Sequence, residues 1–176
     1  MLIYIENFPL IIADKMSSGN QTQLSERKIA QVLVEHLHQL GYVVVTELVL
    51  DNTLFDIKFI SGKEITKLRI DVAAFKDDKI TFIEVENGLW ITHPLLYREF
   101  AHRVILAYPE EYQAPTDQEQ IQMAKINGIG IVSISFDRTI KSILRPSELN
   151  IPKARTNAII SLIKKRLKKN SLENNL

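Results

Sequence analysis

Residues 68–86, LRIDVAAFKDDKITFIEVE, decide the fold of this 176-residue chain. Two runs rich in Val, Ile and Phe flank the polar stretch Lys-Asp-Asp-Lys, a pattern typical of two strands joined by a tight turn. With the turn centred on that stretch, facing residues of the antiparallel pair have numbers that sum to 155. The sequence therefore predicts a hairpin in which Asp71 faces Glu84 and Arg69 faces Glu86.

Three acids converge on one face of this hairpin. Because side chains alternate along a strand, Glu84 and Glu86 share a face with Asp71. The apolar residues between them are expected to fill the other face as core, namely Ile70, Val72, Ile83 and Val85. Facing carboxylates repel each other and lose hydration among apolar neighbours, so a cation or raised pKa values must compensate.

A divalent cation such as Mg²⁺ or Mn²⁺ suits this arrangement. Carboxylate oxygens are the ligands that such ions prefer, and an ion-bound water can attack a phosphate. In the opposing interpretation no metal binds: Arg69 neutralises Glu86, and the other acids point to solvent at a strand end. Both interpretations stay open on the sequence alone.

The flanking sequence predicts an α/β domain with a mixed central sheet between helices. Apolar residues at helical spacing indicate a first helix, and Gly41 ends it. The predicted helices are Ser25–Leu40, Pro94–Arg103, Thr116–Asn127 and 153–169; the further predicted strands are Tyr42–Leu50, Leu54–Ile60, Val104–Tyr108, Ile131–Phe136 and Thr139–Leu144.

Ile70-Asp71, twelve residues, and then Glu84-Val85-Glu86 resemble the motif of the PD-(D/E)XK nuclease superfamily. The resemblance implies a restriction-endonuclease-like core of helix, three-stranded meander, helix and strand. It implies that Asp71 and Glu84 ligate Mg²⁺, helped by the Val85 carbonyl. The family has a lysine at the third position, where this chain has Glu86; a subgroup of restriction enzymes carries Glu there, and so could an inactivated descendant.

Two further patterns agree with this family. Ser25-Glu26-Arg27 resembles the Glu-Arg start of the first helix in archaeal Holliday-junction resolvases, where the Glu assists the metal site. Glu26 could equally serve only the helix dipole. His93-x-x-x-Tyr97 stands where some members have Gln-x-x-x-Tyr. The resemblance covers about residues 24–136; the arm 1–20 and the last helix match no known family.

Charge and composition set the remaining expectations. Residues 153–169 carry seven Lys or Arg and no acid while the whole chain has a net charge of +1, so the rest is net acidic. Four lysines of the last helix are candidate contacts for nucleic acid: Lys164, Lys165, Lys168 and Lys169. The absence of cysteine excludes thiol catalysis and zinc knuckles. The N-terminal residues are too short an apolar run to span a bilayer, so a cytoplasmic location without membrane attachment is expected.

These observations predict one domain that acts as a metal-dependent nuclease, with DNA as the expected substrate. The alternative is a catalytically inactive nuclease-like module that binds nucleic acid or a protein. Dimerisation, the form of the substrate and the choice of DNA over RNA stay open.

Overall fold

The computed structural model of the protein describes residues 24–51, 55, 67–112 and 117–173. The predicted arm 1–20 and, apart from Phe55, the predicted strand Leu54–Ile60 lie outside this part of the chain. The elements in chain order are α1 Glu26–Gln39, β1 Val43–Asp51, β2 Lys67–Lys76, β3 Lys79–Val85, α2 Thr92–Leu95, β4 Arg103–Pro109, α3 Asp117–Ile126, β5 Gly130–Ile134, β6 Ile140–Leu144 and α4 Lys153–Glu173. The predicted α/β class and the predicted order of elements are confirmed.

The six described strands form one mixed sheet in the order β1-β2-β3-β4-β5-β6. β1, β2 and β3 pair antiparallel and make the predicted meander, while β3, β4 and β5 run parallel. β6 returns antiparallel to β5. The two parallel connections pass through α2 and α3, as strand–helix–strand units require.

Sequence signals at both ends explain why α1 forms where it does. The Ser25 hydroxyl accepts a hydrogen bond from the Lys28 amide at 3.4 Å, so Ser25 caps the first turn. Gly41 has a φ of +79°, and the Tyr42 amide donates back to the Leu37 carbonyl at 3.0 Å. A left-handed glycine with this bond pattern is a common helix ending.

Helices cover both faces of the sheet, and each face has its own apolar core. One cluster packs α1 residues such as Ile29 and Leu33 against Val72 and Ile83. The other cluster packs Ile159 and Ile163 of α4, with residues of α3 and of the segment after α2, against the opposite face. Strands β3, β4 and β5 are buried on both sides, which accounts for their almost continuous apolar sequence.

The predicted register of the β2–β3 hairpin is confirmed. Its pairs run from Val72–Ile83 to Lys76–Lys79, and each pair sums to 155. Asp77 and Asp78 at the turn have φ values of 49° and 60°. Two successive residues with positive φ make the type I′ turn that suits the twist of a two-residue hairpin.

Side chains of β2 alternate between the two faces of the sheet, and this alternation shifts by one residue at Asp71. The prediction that Ile70 and Val72 share one core is therefore wrong. Val72 packs in the α1-side core, but Ile70 packs in the opposite core instead of joining it. On β1 the pairs Thr46–Val72 and Leu48–Ile70 flank Glu47, whose φ is +54°. The irregular backbone at Glu47, opposite Asp71, lets both strands change face at the same level.

The helices after the hairpin differ in length from their predictions. The predicted Pro94–Arg103 helix is the short α2, after which Leu96, Tyr97 and Phe100 donate to carbonyls three residues back. Those tighter turns do not continue an α-helix, and Arg103 already belongs to β4. α4 extends four residues past the predicted end at residue 169.

Candidate metal centre

Asp71 lies where β2 and β3 separate. The last pair of the hairpin on this side is Val72–Ile83, and beyond it the Asp71 Oδ2 atom accepts a hydrogen bond from the Val85 amide at 2.9 Å. Burial raises the pKa of Asp71, while that hydrogen bond and the Arg69 charge oppose the rise. The Asp71 carboxylate thus takes the place of a backbone carbonyl as the acceptor for the Val85 amide, and it faces the end of β3.

Glu84 is the most buried acid of the cluster, with 7% of its surface exposed. It follows the apolar run of β3, which places it at the end of a covered strand. The pKa of Glu84 is raised from 4.5 to about 7, first by burial and then by the Asp71 charge. The Tyr97 hydrogen bond and the His93 charge work in the opposite direction.

One hydroxyl joins Glu84 to the neighbouring strand. The Tyr97 oxygen lies 2.7 Å from Glu84 Oε2 and 2.7 Å from the Arg69 carbonyl oxygen. A hydroxyl has a single proton and cannot donate to both acceptors. The hydroxyl therefore donates either to Glu84 or to the Arg69 carbonyl, and its donation to Glu84 is the contact that opposes the raised pKa of that carboxyl.

Glu86 and His93 complete the cluster. The His93 Nδ1 atom lies 2.8 Å from Glu86 Oε1 and 3.3 Å from Glu84 Oε1. In the described part of the chain these three residues form a group whose ligand atoms all lie within 4.8 Å of one another. Two carboxylate oxygens and one imidazole nitrogen are a donor set that fits a divalent ion.

Glu26 approaches the cluster from the first turn of α1. Its Oε1 atom accepts a hydrogen bond from the Asn87 side chain at 2.8 Å, which ties the helix start to the residue after Glu86. The pKa of Glu26 is raised, first by partial burial and then by the charges of Glu86 and Asp71. The predicted fourth acid therefore interacts electrostatically with Glu86 and Asp71.

A groove of about 610 Å³ opens beside these acids, between α1 and strands β1 and β2. Asp71, Val85 and Glu26 line its inner end, and Arg27 and Gln31 line its helical wall. The groove gives solvent and ligands a route to the Asp71 side of the cluster.

The structure does not contain the Arg69–Glu86 ion pair on which the metal-free interpretation relies. The Arg69 Nε atom instead lies 3.5 Å from Glu47 Oε2, with both side chains more than half exposed. The regular hairpin pairing ends before residue 71, so Arg69 is not held opposite Glu86. The metal-free interpretation thus loses its proposed counter-ion, although His93 takes part of that role.

The four predicted nucleic-acid-binding lysines are exposed on α4. The Lys164 ammonium lies 5.7 Å from the centre of the Phe75 ring. Phe75 stands four residues from Asp71 towards the hairpin turn, about 13 Å along the strand. Of the four predicted acids, Glu84 and Glu86 belong to the compact group with His93, while Asp71 and Glu26 interact with them electrostatically from outside it. Lys164 lies near the other end of the hairpin.

His93, Tyr97 and Asn87 are contacts that the sequence did not assign to the site. The spacing of His93 and Tyr97 was a usable signal, because residues four apart in a turn of helix lie on one side. Asn87 carried no such signal, since its contact depends on how α1 packs against the end of β3.

Gly88 and Trp90 shape the loop that follows Glu86. A Cβ atom on Gly88 would lie 2.7 Å from the Tyr112 ring and 3.0 Å from Trp90 Nε1. Only glycine allows these two aromatic side chains to lie so close to the backbone. Trp90 is 51% exposed at this position, and the Gln120 side chain fixes the next residue by accepting from the Ile91 amide.

Comparison with known proteins finds only distant likenesses. No family model matches the chain, and no curated protein matches it significantly. An XisH family protein from Nostoc punctiforme PCC 73102 aligns over 65% of this chain and 98% of its own, with a TM-score of 0.41 and 16% identity. AF1548, a protein of unknown function, aligns over 63% of this chain and 56% of its own, with a TM-score of 0.39 and 14% identity.

SfsA from Pyrococcus furiosus, solved in complex with Ca²⁺, aligns over 69% of this chain and 60% of its own. Its TM-score is 0.33 and its identity is 12%. The chain thus spans less than two thirds of the length of AF1548 and of SfsA. Among the described helices, none combines the length and the apolar character needed to cross a membrane.

Proposed function

We propose that the chain is a divalent-metal-dependent nuclease of the PD-(D/E)XK type that hydrolyses DNA phosphodiester bonds. The observation that carries the proposal is Glu84, a carboxylate 7% exposed at the end of a buried strand with Asp71 and Glu86 beside it. Burying like charges together is costly unless a cation or protons compensate. A bound Mg²⁺ or Mn²⁺ ion would compensate the repulsion between these carboxylates.

The residues divide the work according to their positions. Asp71 and Glu84 hold the ion, with the Val85 carbonyl as the third protein ligand by family resemblance. A bound ion would supply charge for the phosphate oxygens and would acidify an attacking water. Glu86 accepts the proton of that water, and Glu26, held by Asn87, orients the water from the α1 side.

The basic face of α4 supplies the contact with the nucleic-acid backbone. Lys164, Lys165, Lys168 and Lys169 are exposed there, and each lysine that neutralises a phosphate makes binding weaker as salt rises. Such contacts position a strand without reading its sequence. They leave the scissile phosphate free to meet the acids at the open end of the hairpin.

A cleavage assay tests the proposal. Purified protein is incubated with labelled single-stranded, duplex and branched DNA in Mg²⁺, Mn²⁺ or EDTA. We expect cleavage that requires metal and falls on the order of 100-fold or more in Asp71→Asn and Glu84→Gln, because each removes a charge that holds the ion.

Matched controls make the same chemical changes elsewhere. Asp78→Asn alters an exposed acid of the same hairpin, and Asn tolerates the positive φ there. Glu119→Gln alters an exposed acid on α3. Both should cleave like the wild type. Metal-independent cleavage, or equal cleavage by all variants, would contradict the proposal and point to a contaminating nuclease.

One observation favours the alternative, a catalytically inactive nuclease-like module. Glu86 replaces the family lysine, and it has a protein partner without any ion, since His93 Nδ1 lies 2.8 Å from its Oε1 atom. Titration calorimetry with Mg²⁺ and Mn²⁺ separates the two functions. An inactive module that still binds DNA with a steep salt dependence would show no cleavage and no heat of metal binding that depends on Asp71.

A further inference from the structure

We infer that His93 is itself a metal ligand and that the site therefore takes a first-row transition ion, with Mn²⁺ as the accessible probe, in preference to Mg²⁺. The inference rests on the proposed function and specifies the ion for the same site. The observation behind it is the group of Glu84, Glu86 and His93, whose ligand atoms lie within 4.8 Å of one another.

The distance between two of these side chains matches that between neighbouring ligands of one ion. In octahedral coordination with bonds of about 2.1 Å, adjacent ligand atoms stand about 3.0 Å apart. The His93 Nδ1 atom lies 3.3 Å from Glu84 Oε1, which is close to that spacing. Small side-chain shifts are enough to place an ion beside Nδ1 and Glu84.

The surroundings of His93 allow it to become a ligand. Its side chain is 60% exposed, so solvent can serve the second ring nitrogen while Nδ1 faces the acids. Nδ1 is the ring nitrogen that contacts Glu86, at 2.8 Å. An ion bound at Nδ1 takes the place of this hydrogen bond and leaves Glu86 to accept a proton from water.

The nitrogen donor decides the choice of ion. Mg²⁺ prefers oxygen ligands and keeps most of its waters, whereas imidazole is a favourable ligand for transition ions. A site made of carboxylates alone binds Mg²⁺ and transition ions with more similar affinities. Removing the imidazole should therefore reduce the difference between the affinities for Mn²⁺ and Mg²⁺. Glutamine is the informative replacement, because it keeps a polar side chain of similar reach without an imidazole nitrogen.

Pulsed electron paramagnetic resonance on the Mn²⁺-loaded protein tests this directly. Electron spin echo modulation from ¹⁴N reports an imidazole bound to Mn²⁺. We expect the ¹⁴N modulation in the wild type and its loss in His93→Gln. The matched control is His38→Gln, an exposed histidine on α1, which should keep the modulation.

Calorimetry on the same proteins supplies the affinities. We expect the wild type to bind Mn²⁺ about tenfold or more tightly than Mg²⁺, and His93→Gln to lose about tenfold in Mn²⁺ affinity with little change for Mg²⁺. Circular dichroism confirms that the variants are folded, which the exposure of His93 favours.

The outcomes separate this inference from the proposed function. Metal-dependent cleavage with bound Mn²⁺ but no ¹⁴N modulation, or modulation that persists in His93→Gln, overturns the role of His93 and leaves the nuclease intact. Absence of any Mn²⁺ or Mg²⁺ binding overturns both. Modulation and binding without cleavage of any DNA supports the ligand role and contradicts the nuclease.

Discussion

The two ends of the β2–β3 hairpin carry the same kinds of acid in opposite surroundings. At the turn, Asp77 and Asp78 are exposed, and their left-handed backbone reverses the chain. At the open end, Asp71 and Glu84 meet where the strands separate, and Glu84 is almost fully buried. The type of residue therefore does not show whether an acid serves only the turn or belongs to the candidate site. Its position relative to the part of the sheet that the helices cover distinguishes the two.

The largest expected contrast between the two ends is in the pH dependence of stability. The unfolded chain ionises Glu84 near pH 4.5, whereas the folded protein keeps that proton to about pH 7. The free energy of unfolding therefore falls as pH rises from 4.5 to about 7, and Glu84 lowers it no further above that range. A pKa raised by this amount corresponds to roughly 3 kcal/mol.

Urea unfolding of the metal-free protein at pH 5 and pH 8 measures this effect. We expect the wild type to lose up to about 3 kcal/mol between them and Glu84→Gln to lose much less. Comparing the two proteins cancels the other titrating groups, including the lowered pKa of His102. Asp78→Asn should follow the wild type, and an equal slope in Glu84→Gln would show that Glu84 is ionised when folded.

A smaller effect is expected from Tyr97→Phe. The change removes the hydroxyl between Glu84 and the Arg69 carbonyl and leaves one more acceptor without a donor, which should cost about 1–2 kcal/mol at pH 5. Thermal unfolding measures the difference. The control is Tyr42→Phe, whose ring contact with Lys76 survives. A Tyr97→Phe protein as stable as this control would mean that the hydroxyl does not couple the strands.

A substitution at the turn end of the hairpin should raise the stability of the protein instead of lowering it. Asp78→Gly relieves a positive φ of 60° that costs a non-glycine residue, so a stabilisation of up to about 1 kcal/mol is expected. The greater freedom of glycine in the unfolded chain offsets part of it. Chemical denaturation checks the sign, and cleavage should be unaffected. A large destabilisation would indicate that Asp78 has contacts beyond the turn.

The smallest effect is expected for Arg69→Ala. Its ion pair with Glu47 joins two side chains that are 68% and 54% exposed. Such pairs contribute no more than about 0.5 kcal/mol and are screened by salt. Unfolding in low and high salt should show little difference from the wild type. A loss above 1 kcal/mol would mean that the attraction between Arg69 and Asp71 contributes more to stability than the exposed ion pair with Glu47.

Local signals explain what the sequence predicts well. The turn centre sets the hairpin register, and the pairs Val72–Ile83 and Lys76–Lys79 confirm it. Ser25 and Gly41 bracket α1 at the predicted residues. Each of these features depends on neighbours in the chain, so the pattern of a few residues is enough.

Features that depend on tertiary contact escape the sequence. The phase change at Asp71 needs Glu47 in a left-handed conformation on a different strand, and nothing around Glu47 in the sequence indicates it. The motif His93-x-x-x-Tyr97 drew attention to His93, but its contact with Glu86 depends on how the chain packs after β3. Alternation groups Glu84 with Glu86 correctly, but the position of Asp71 depends on the phase change and that of the surrounding residues on tertiary contacts.

Trp90, beside Gly88 in the loop after Glu86, is the one tryptophan in the sequence. Its indole is half exposed and lies four residues from an acid of the cluster. The tryptophan fluorescence of the protein therefore has a single origin, at the edge of the candidate site. Ion binding, or a nucleobase that approaches the loop, can be followed through emission wavelength and quenching without any attached label.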